Sequence, residues 1–194
     1  MQSAKELFVH ELTDMLDAEQ KLVTALGELA EDHAEQSQLQ KGFQSHRAQT
    51  EKQVQRIQQI FEQLGEEVEE TECKGMKGLL EERKSFKEEE EPADDILSIF
   101  DVGAAIKVES YEISAYNSLI ELAKQLDMSK AVKLLSQSLK EEEQTRTKLQ
   151  AISRKLKPDN MGMEEESEEM ETESRGSRRS AASARSKGRS RKAA

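Results

Sequence analysis

The sequence predicts an all-α protein built as a four-helix bundle. Among its 194 residues there are only 9 Gly and 2 Pro, and Trp is absent, so turn residues are too scarce for many short strands. Long stretches rich in Ala, Leu, Glu, Lys and Gln favour helices instead. Four of these stretches carry apolar residues at three- and four-residue steps, the pattern of an amphipathic helix.

The first two predicted helices span residues 4–33 and 38–64. A Ser-x-x-Glu capping box begins at Ser3, Ser37 is the candidate N-cap of the second helix, and Gly65 is its candidate C-terminal cap. The short link between the two helices predicts antiparallel neighbours. Their apolar faces include Leu12, Met15, Leu16, Leu22, Val23, Leu26 and Leu29 in the first, and Leu39, Phe43, Val54, Ile57, Phe61 and Leu64 in the second.

The other two main helices are predicted at residues 93–126 and 129–156, and Pro158 ends the pattern. Residues 66–92 connect the two pairs and contain enough apolar residues for a short helix. A connection of this length lets the second and third main helices run parallel. The predicted apolar faces are Ile96, Phe100, Ala104, Val108, Ala115, Leu119 and Ala123 in the third helix, and Val132, Leu135, Leu139, Leu149, Ile152 and Leu156 in the fourth.

Charge divides the chain into two parts, a helical domain at residues 1–157 and a tail at 158–194. Residues 159–173 hold eight acids and residues 175–194 hold eight Lys or Arg, so the net charge of −11 resides on the helical domain. The tail has no apolar periodicity, and we predict that it is disordered. An acidic domain argues against a DNA-binding surface on the bundle, whereas the basic end of the tail either binds nucleic acid or serves only as a solubilising segment.

The sequence predicts a soluble, cytoplasmic protein. No apolar run approaches the roughly 20 residues that cross a bilayer, and the N-terminus leads directly into an amphipathic pattern. Cys73 is the one cysteine, so the chain has no internal disulfide. No nucleophile triad, phosphate-binding loop or dinucleotide motif is present, and the sequence assigns no reaction.

The most informative residues are polar ones that fall on the apolar faces. Glu19, His46, Glu112 and Glu142 lie near mid-length of the first, second, third and fourth main helices. Each alone fits a boundary residue, because lone buried carboxylates are rare. Together they indicate a metal centre in the bundle core, since carboxylates and imidazoles on facing helices bind iron or manganese. By contrast, His10 and His33 are predicted at the surface, and Cys73, Tyr111 and Tyr116 in packing roles.

Several blocks of this sequence resemble the YciE/YciF-type ferritin-like stress proteins. The most specific blocks are Val108-Glu109-x-Tyr111-Glu112-Ile113-x-Ala115-Tyr116 and Cys73-x-x-Met76-x-Gly78-Leu79. Over residues 4–156 the resemblance implies a ferritin-like bundle, usually a homodimer, with a dinuclear metal site and no established reaction. It implies the following ligands: Glu19, His46, Glu109, Glu112 and Glu142.

Two residues depart from the family pattern. Gln49 stands where the family has Glu three residues after the histidine, and Ser110 stands where the family tends to have His. A neutral amide is a poorer ligand for a divalent ion than a carboxylate. The sequence therefore leaves open an intact, a mononuclear and a vestigial iron or manganese site. Two functions follow as alternatives: a metal-binding stress-response protein, or a non-catalytic helical scaffold that contacts nucleic acid through its basic tail.

Overall fold

A computed structural model describes residues 1–157. These residues form five helices, and no strand occurs among them: α1 (Ala4–Asp32), α2 (Ser37–Leu64), α3 (Lys74–Glu90), α4 (Asp94–Gln125) and α5 (Ser129–Ser153). The predicted all-α class and the four main helices are confirmed, with α3 inside the long connection. The predicted disorder of the tail lies outside the described residues. None of the five helices is long and apolar enough to span a membrane.

The bundle core consists of two apolar clusters that share all four main helices. The first cluster includes Phe8 of α1, Ile57 of α2 and Leu119 of α4. The second includes Leu26 from later in α1 and Phe43 from earlier in α2. Helix α1 therefore runs from the first cluster to the second, and α2 runs back. Helix α4 begins in the second cluster and ends in the first, so it runs parallel to α2, as the long connection predicted.

Two of the three helix caps predicted from the sequence are present. Ser3 Oγ accepts a hydrogen bond from the backbone N–H of Glu6, and Gly65 has a left-handed φ of 66°. The prediction that Ser37 caps α2 is wrong, because Ser37 is already helical and Gln36 is the N-cap without a side-chain cap bond. The Gln36 amide oxygen instead accepts a hydrogen bond from Ser98 Oγ of α4, at 2.9 Å.

Helix α3 has 17 residues and is longer than predicted. An ionic network, buried at Asp101 and His33, links it to α1 and α4. The Arg83 guanidinium donates to Asp101 of α4 and to Asp32 of α1. His33 Nε2 lies 2.9 Å from Asp101 Oδ2. The prediction of a surface His33 is therefore wrong, since the residue is only 2% exposed. Its partner is 68 positions away, so no local pattern could reveal the pair.

The start of α4 also differs from the predicted face. Ile96 is 39% exposed, while Leu97 and Val102 are buried. Phe100 is half-buried and stacks on Phe86 of α3, with 3.8 Å between ring centroids. The buried positions at the start of α4 are thus displaced by one residue from the predicted stripe. Helix α3 packs against a second side of α4, where Asp101, which a one-sided amphipathic pattern assigns to the surface, is buried.

Candidate metal centre

One polar layer separates the two apolar clusters. Glu19 is contributed by α1, His46 by α2, Glu109 and Glu112 by α4, and Glu142 by α5. All four carboxyl groups come from residues with 0% exposure, and His46 is 7% exposed. His46, Glu112 and Glu142 lie on their helices between the positions that pack in the first cluster and those that pack in the second, and Glu19 and Glu109 lie beside residues of the second cluster at this boundary. The layer thus forms where an unbroken apolar core would otherwise be expected.

His46, Glu109 and Glu142 are the most tightly grouped members of this layer. His46 Nε2 lies 3.1 Å from Glu109 Oε1 and 3.9 Å from Glu142 Oε2. One ligand atom from each of the three residues lies within 4.8 Å of the other two. Glu19 and Glu112 lie outside this closest group. Of the predicted site residues, the structure therefore brings three to one point and places the other two in the surrounding layer.

Most of the polar side-chain atoms in the layer lack a hydrogen-bond partner. The buried side-chain atoms without a partner in the described chain are Glu19 Oε2, His46 Nε2, Gln53 Oε1, both carboxyl oxygens of Glu109 and of Glu112, and Glu142 Oε2. An unsatisfied buried polar group destabilises a fold by about 1–3 kcal/mol. All of these atoms belong to the five residues of the layer or to Gln53, so this destabilisation is concentrated at one level of the bundle.

Burial and mutual repulsion change the titration of all four carboxyl groups. Desolvation, followed by the charge of Glu142, raises the pKa of Glu109 to about 11. Desolvation likewise raises the pKa of Glu142 to about 7. The pKa values of Glu19 and Glu112 also lie well above the usual range, mainly through desolvation and then through neighbouring carboxylates. At neutral pH and without a bound cation, the layer is therefore largely protonated.

The titration of His46 is shifted in the opposite direction. Desolvation, followed by the charge of Lys148, lowers the pKa of His46 to about 4. The imidazole is therefore neutral at pH 7, which is the form that coordinates metal ions.

Two neutral donors orient the carboxylates. Tyr116 of α4 donates its hydroxyl hydrogen to Glu19 Oε1, and Gln53 of α2 donates an amide hydrogen to Glu142 Oε1. In both cases the second carboxyl oxygen is left without a partner. Such supporting hydrogen bonds are typical around metal-binding carboxylates. Tyr116 is thus buried as predicted and also contacts the site.

Gln53 was missed by the sequence analysis, although a signal existed. It lies seven residues after His46, two helical turns along the same face, and is 0% exposed. Gln49, the departure from the family pattern, lies at the edge of the layer. It is half-buried, and its amide nitrogen lies 3.4 Å from Thr145 Oγ1 of α5.

The donor set suits a hard divalent cation. Four carboxyl groups and one neutral imidazole on facing helices offer oxygen and nitrogen ligands, the set that iron and manganese accept. No cysteine belongs to the group, which argues against a thiolate site. A cation would give the unpartnered oxygens a ligand and would compensate the repulsion between the carboxylates.

Comparison with known proteins links the chain to a defined group. Residues 3–161 match the family described as a domain of unknown function, DUF892. Protein YciF of Escherichia coli (strain K12) is 36% identical over 150 residues, which are 77% of this chain and 89% of YciF. The crystal structure of the E. coli stress protein YciF superposes with a TM-score of 0.74 at 35% identity, covering 79% of this chain and 96% of YciF.

Two further solved structures share the fold. YcfI of Rhodopseudomonas palustris, described as a structural protein, is 33% identical with a TM-score of 0.73, over 77% of this chain and 94% of its own. A protein from Xanthomonas campestris has a TM-score of 0.63 at 16% identity, over 78% of this chain and 92% of its own. At that identity the likeness concerns the fold alone.

Proposed function

The chain belongs to the DUF892 family, together with the stress protein YciF, and from this premise we propose that it is a ferritin-like stress-response protein that binds a divalent metal ion in its bundle core. The observation that carries the proposal is the set of unpartnered buried oxygens and nitrogen in one layer. Burial of so many unsatisfied groups is rare in native proteins, and bound cations would give most of them a partner. Iron and manganese are the ions that this donor set favours.

His46, Glu109 and Glu142 would hold the first ion, because their ligand atoms already converge. Glu19 and Glu112 would serve a second ion or complete the shell of the first. When bound, iron or manganese would supply one-electron redox chemistry. The chain itself orients the ligands through Gln53 and Tyr116 and excludes bulk water by burial. Since Glu19 and Glu112 lie outside the closest group, we propose that the second position is the weaker one, and Gln49, neutral and bonded to Thr145, adds no negative charge to the site.

A second candidate function is a non-catalytic scaffold. Glu19 and Glu142 each accept a hydrogen bond within the protein, and protonation alone would remove the repulsion between carboxylates. The description of the R. palustris relative as a structural protein favours this reading. The two candidates differ in one respect: the scaffold requires a protonated layer at neutral pH, whereas the metal-binding protein exchanges those protons for a cation.

The proposal extends to the setting of the protein. We place it in the cytoplasm as a homodimer, following the family resemblance. Contact with nucleic acid would involve only the basic residues of the tail, since the bundle is acidic.

Metal titration tests the proposed function. Calorimetric addition of Mn²⁺ or anaerobic Fe²⁺ to chelator-treated protein should show one or two equivalents. His46→Gln should weaken binding, while His10→Gln, at an exposed position, should leave it unchanged. Absence of binding, or equal binding by both variants, would favour the scaffold.

A further inference from the structure

A groove between α2 and α5 leads from the surface to the polar layer. It has a volume of about 140 Å³, and its wall includes Gly42, His46, Gln49, Thr145, Lys148 and Leu149. His46 is the one residue of the five-member layer that lines it in the described chain. The groove therefore reaches the site beside its imidazole.

We infer that this groove admits small uncharged molecules to the metal layer and keeps cations out. Leu39, Phe43, Leu149 and Ile152 give its wall aliphatic and aromatic surface. Apolar cavities of this order of size take up small uncharged molecules. A cation would instead exchange its hydration shell for a wall without a carboxylate, which is unfavourable. The inference rests on the proposed function, because it names the class of molecule that reaches that site.

The charges on the wall support the exclusion of cations. Lys148 lies on the rim, and no Asp or Glu is among the described residues that line the groove. A cation approaching here meets a positive charge and no carboxylate before it reaches His46. The metal ion itself would therefore enter by another route, and the groove would serve an uncharged reactant such as dioxygen or hydrogen peroxide.

Gly42 keeps the outer part of the groove open. It lies one helical turn before His46 on α2, so the two positions share a face. A Cβ atom built at Gly42 meets no atom within 4 Å. Glycine within a helix is unfavourable by roughly 0.5–1 kcal/mol relative to alanine, and nothing in the backbone of α2 requires it at this point. A Cβ atom therefore fits at this position, and a larger side chain attached to it would occupy the outer part of the groove.

Dissolved dioxygen is a direct probe of the route, since it is small, uncharged and paramagnetic. The experiment compares proton relaxation of the histidine rings in metal-free, histidine-labelled full-length protein under dioxygen and under nitrogen. His33 is the internal control, because it is also buried, at 2% exposed against 7% for His46, but lies in the Asp101 network away from the groove. We expect His46 to relax at least about twofold more strongly than His33 under dioxygen, as uptake into an apolar groove requires.

Gly42→Leu should reduce the enhancement at His46 to the level of His33. Gly78→Leu is the matched control, because Gly78 is also helical and exposed and also meets no atom within 4 Å. It should leave the His46 enhancement unchanged. Equal relaxation of His46 and His33, or a His46 signal that Gly42→Leu does not change, would overturn the inference. Metal binding plays no part in this measurement, so failure of the proposed function would appear in the titration and not here.

Discussion

Replacing Glu109 by glutamine should change how the stability of the metal-free protein depends on pH. The pKa of Glu109 is raised to about 11 in the fold by desolvation and by Glu142, whereas an unfolded chain has an ordinary glutamate near 4.5. Between those values the folded state holds one proton more than the unfolded state, so stability falls as pH rises. One such group changes the unfolding free energy by about 1.4 kcal/mol per pH unit. Below pH 4.5 both states are protonated and the effect vanishes.

The cleanest window is pH 7.5 to 9, because His46, with a pKa lowered to about 4 in the fold, is then neutral in the folded state, and an unfolded histidine with a pKa near 6.5 is then largely neutral too. Between these two pH values, with chelator present, the free energy of unfolding of Glu109→Gln should rise by about 2 kcal/mol relative to that of the wild type. Glu19 and Glu112 are present in both proteins, and in the wild type the Glu142 carboxyl, whose pKa in the fold is about 7, is already largely ionised above pH 7.5. Urea denaturation at the two pH values measures the difference.

Glu143→Gln is the matched control, since Glu143 is exposed and follows Glu142 directly. It should show the pH dependence of the wild type. Saturating Mn²⁺ should reverse the order, making the wild type more stable than Glu109→Gln, because the cation takes the place of the protons. If Glu109→Gln and Glu143→Gln share one pH dependence under chelator, the Glu109 carboxyl is not protonated in the fold and the reasoning fails.

Three further substitutions test other parts of the molecule. Gln49→Glu should supply an additional ligand and tighten Mn²⁺ binding by about tenfold in calorimetry, which corresponds to about 1.4 kcal/mol. An unchanged affinity would show that residue 49 does not ligate the metal. Asp101→Asn should lower the free energy of unfolding by about 1–3 kcal/mol, since it removes the buried carboxylate that the Arg83 guanidinium and the His33 ring share; a loss below 1 kcal/mol in denaturation would contradict this. Gly75→Ala should destabilise the fold by about 1–3 kcal/mol, because a Cβ atom there would lie 2.6 Å from Tyr111 Cε2. Gly78→Ala, where a Cβ atom meets nothing within 4 Å, should be neutral or stabilising, and thermal denaturation measures both.

The bundle was predictable because its information is local. Apolar residues at helical spacing define each main helix, and Gly65 ends α2 as a left-handed cap must. The departures occur where a second partner acts from a distance. Asp101 and His33 are buried because each has a distant partner, Arg83 of α3 for the first and Asp101 of α4 for the second.

The polar layer was predictable in part for the same reason. A glutamate between two leucines points where they point, so Glu19 and Glu142 could be placed in the core from spacing alone. Spacing does not decide which members of the layer lie closest together. Glu109 lies nearer to His46 than Glu112 does, and this depends on how α4 is rotated about its own axis. Gln53 was overlooked because a neutral amide two turns away looks like a surface residue until its partner on α5 is known.

Anomalous diffraction from crystals grown with Mn²⁺ tests the central claim most directly. The account predicts an anomalous peak between His46 Nε2, Glu109 and Glu142, with a second, weaker peak toward Glu19 and Glu112. A map with no peak inside the bundle, while Mn²⁺ occupies only exposed acidic residues, would contradict it.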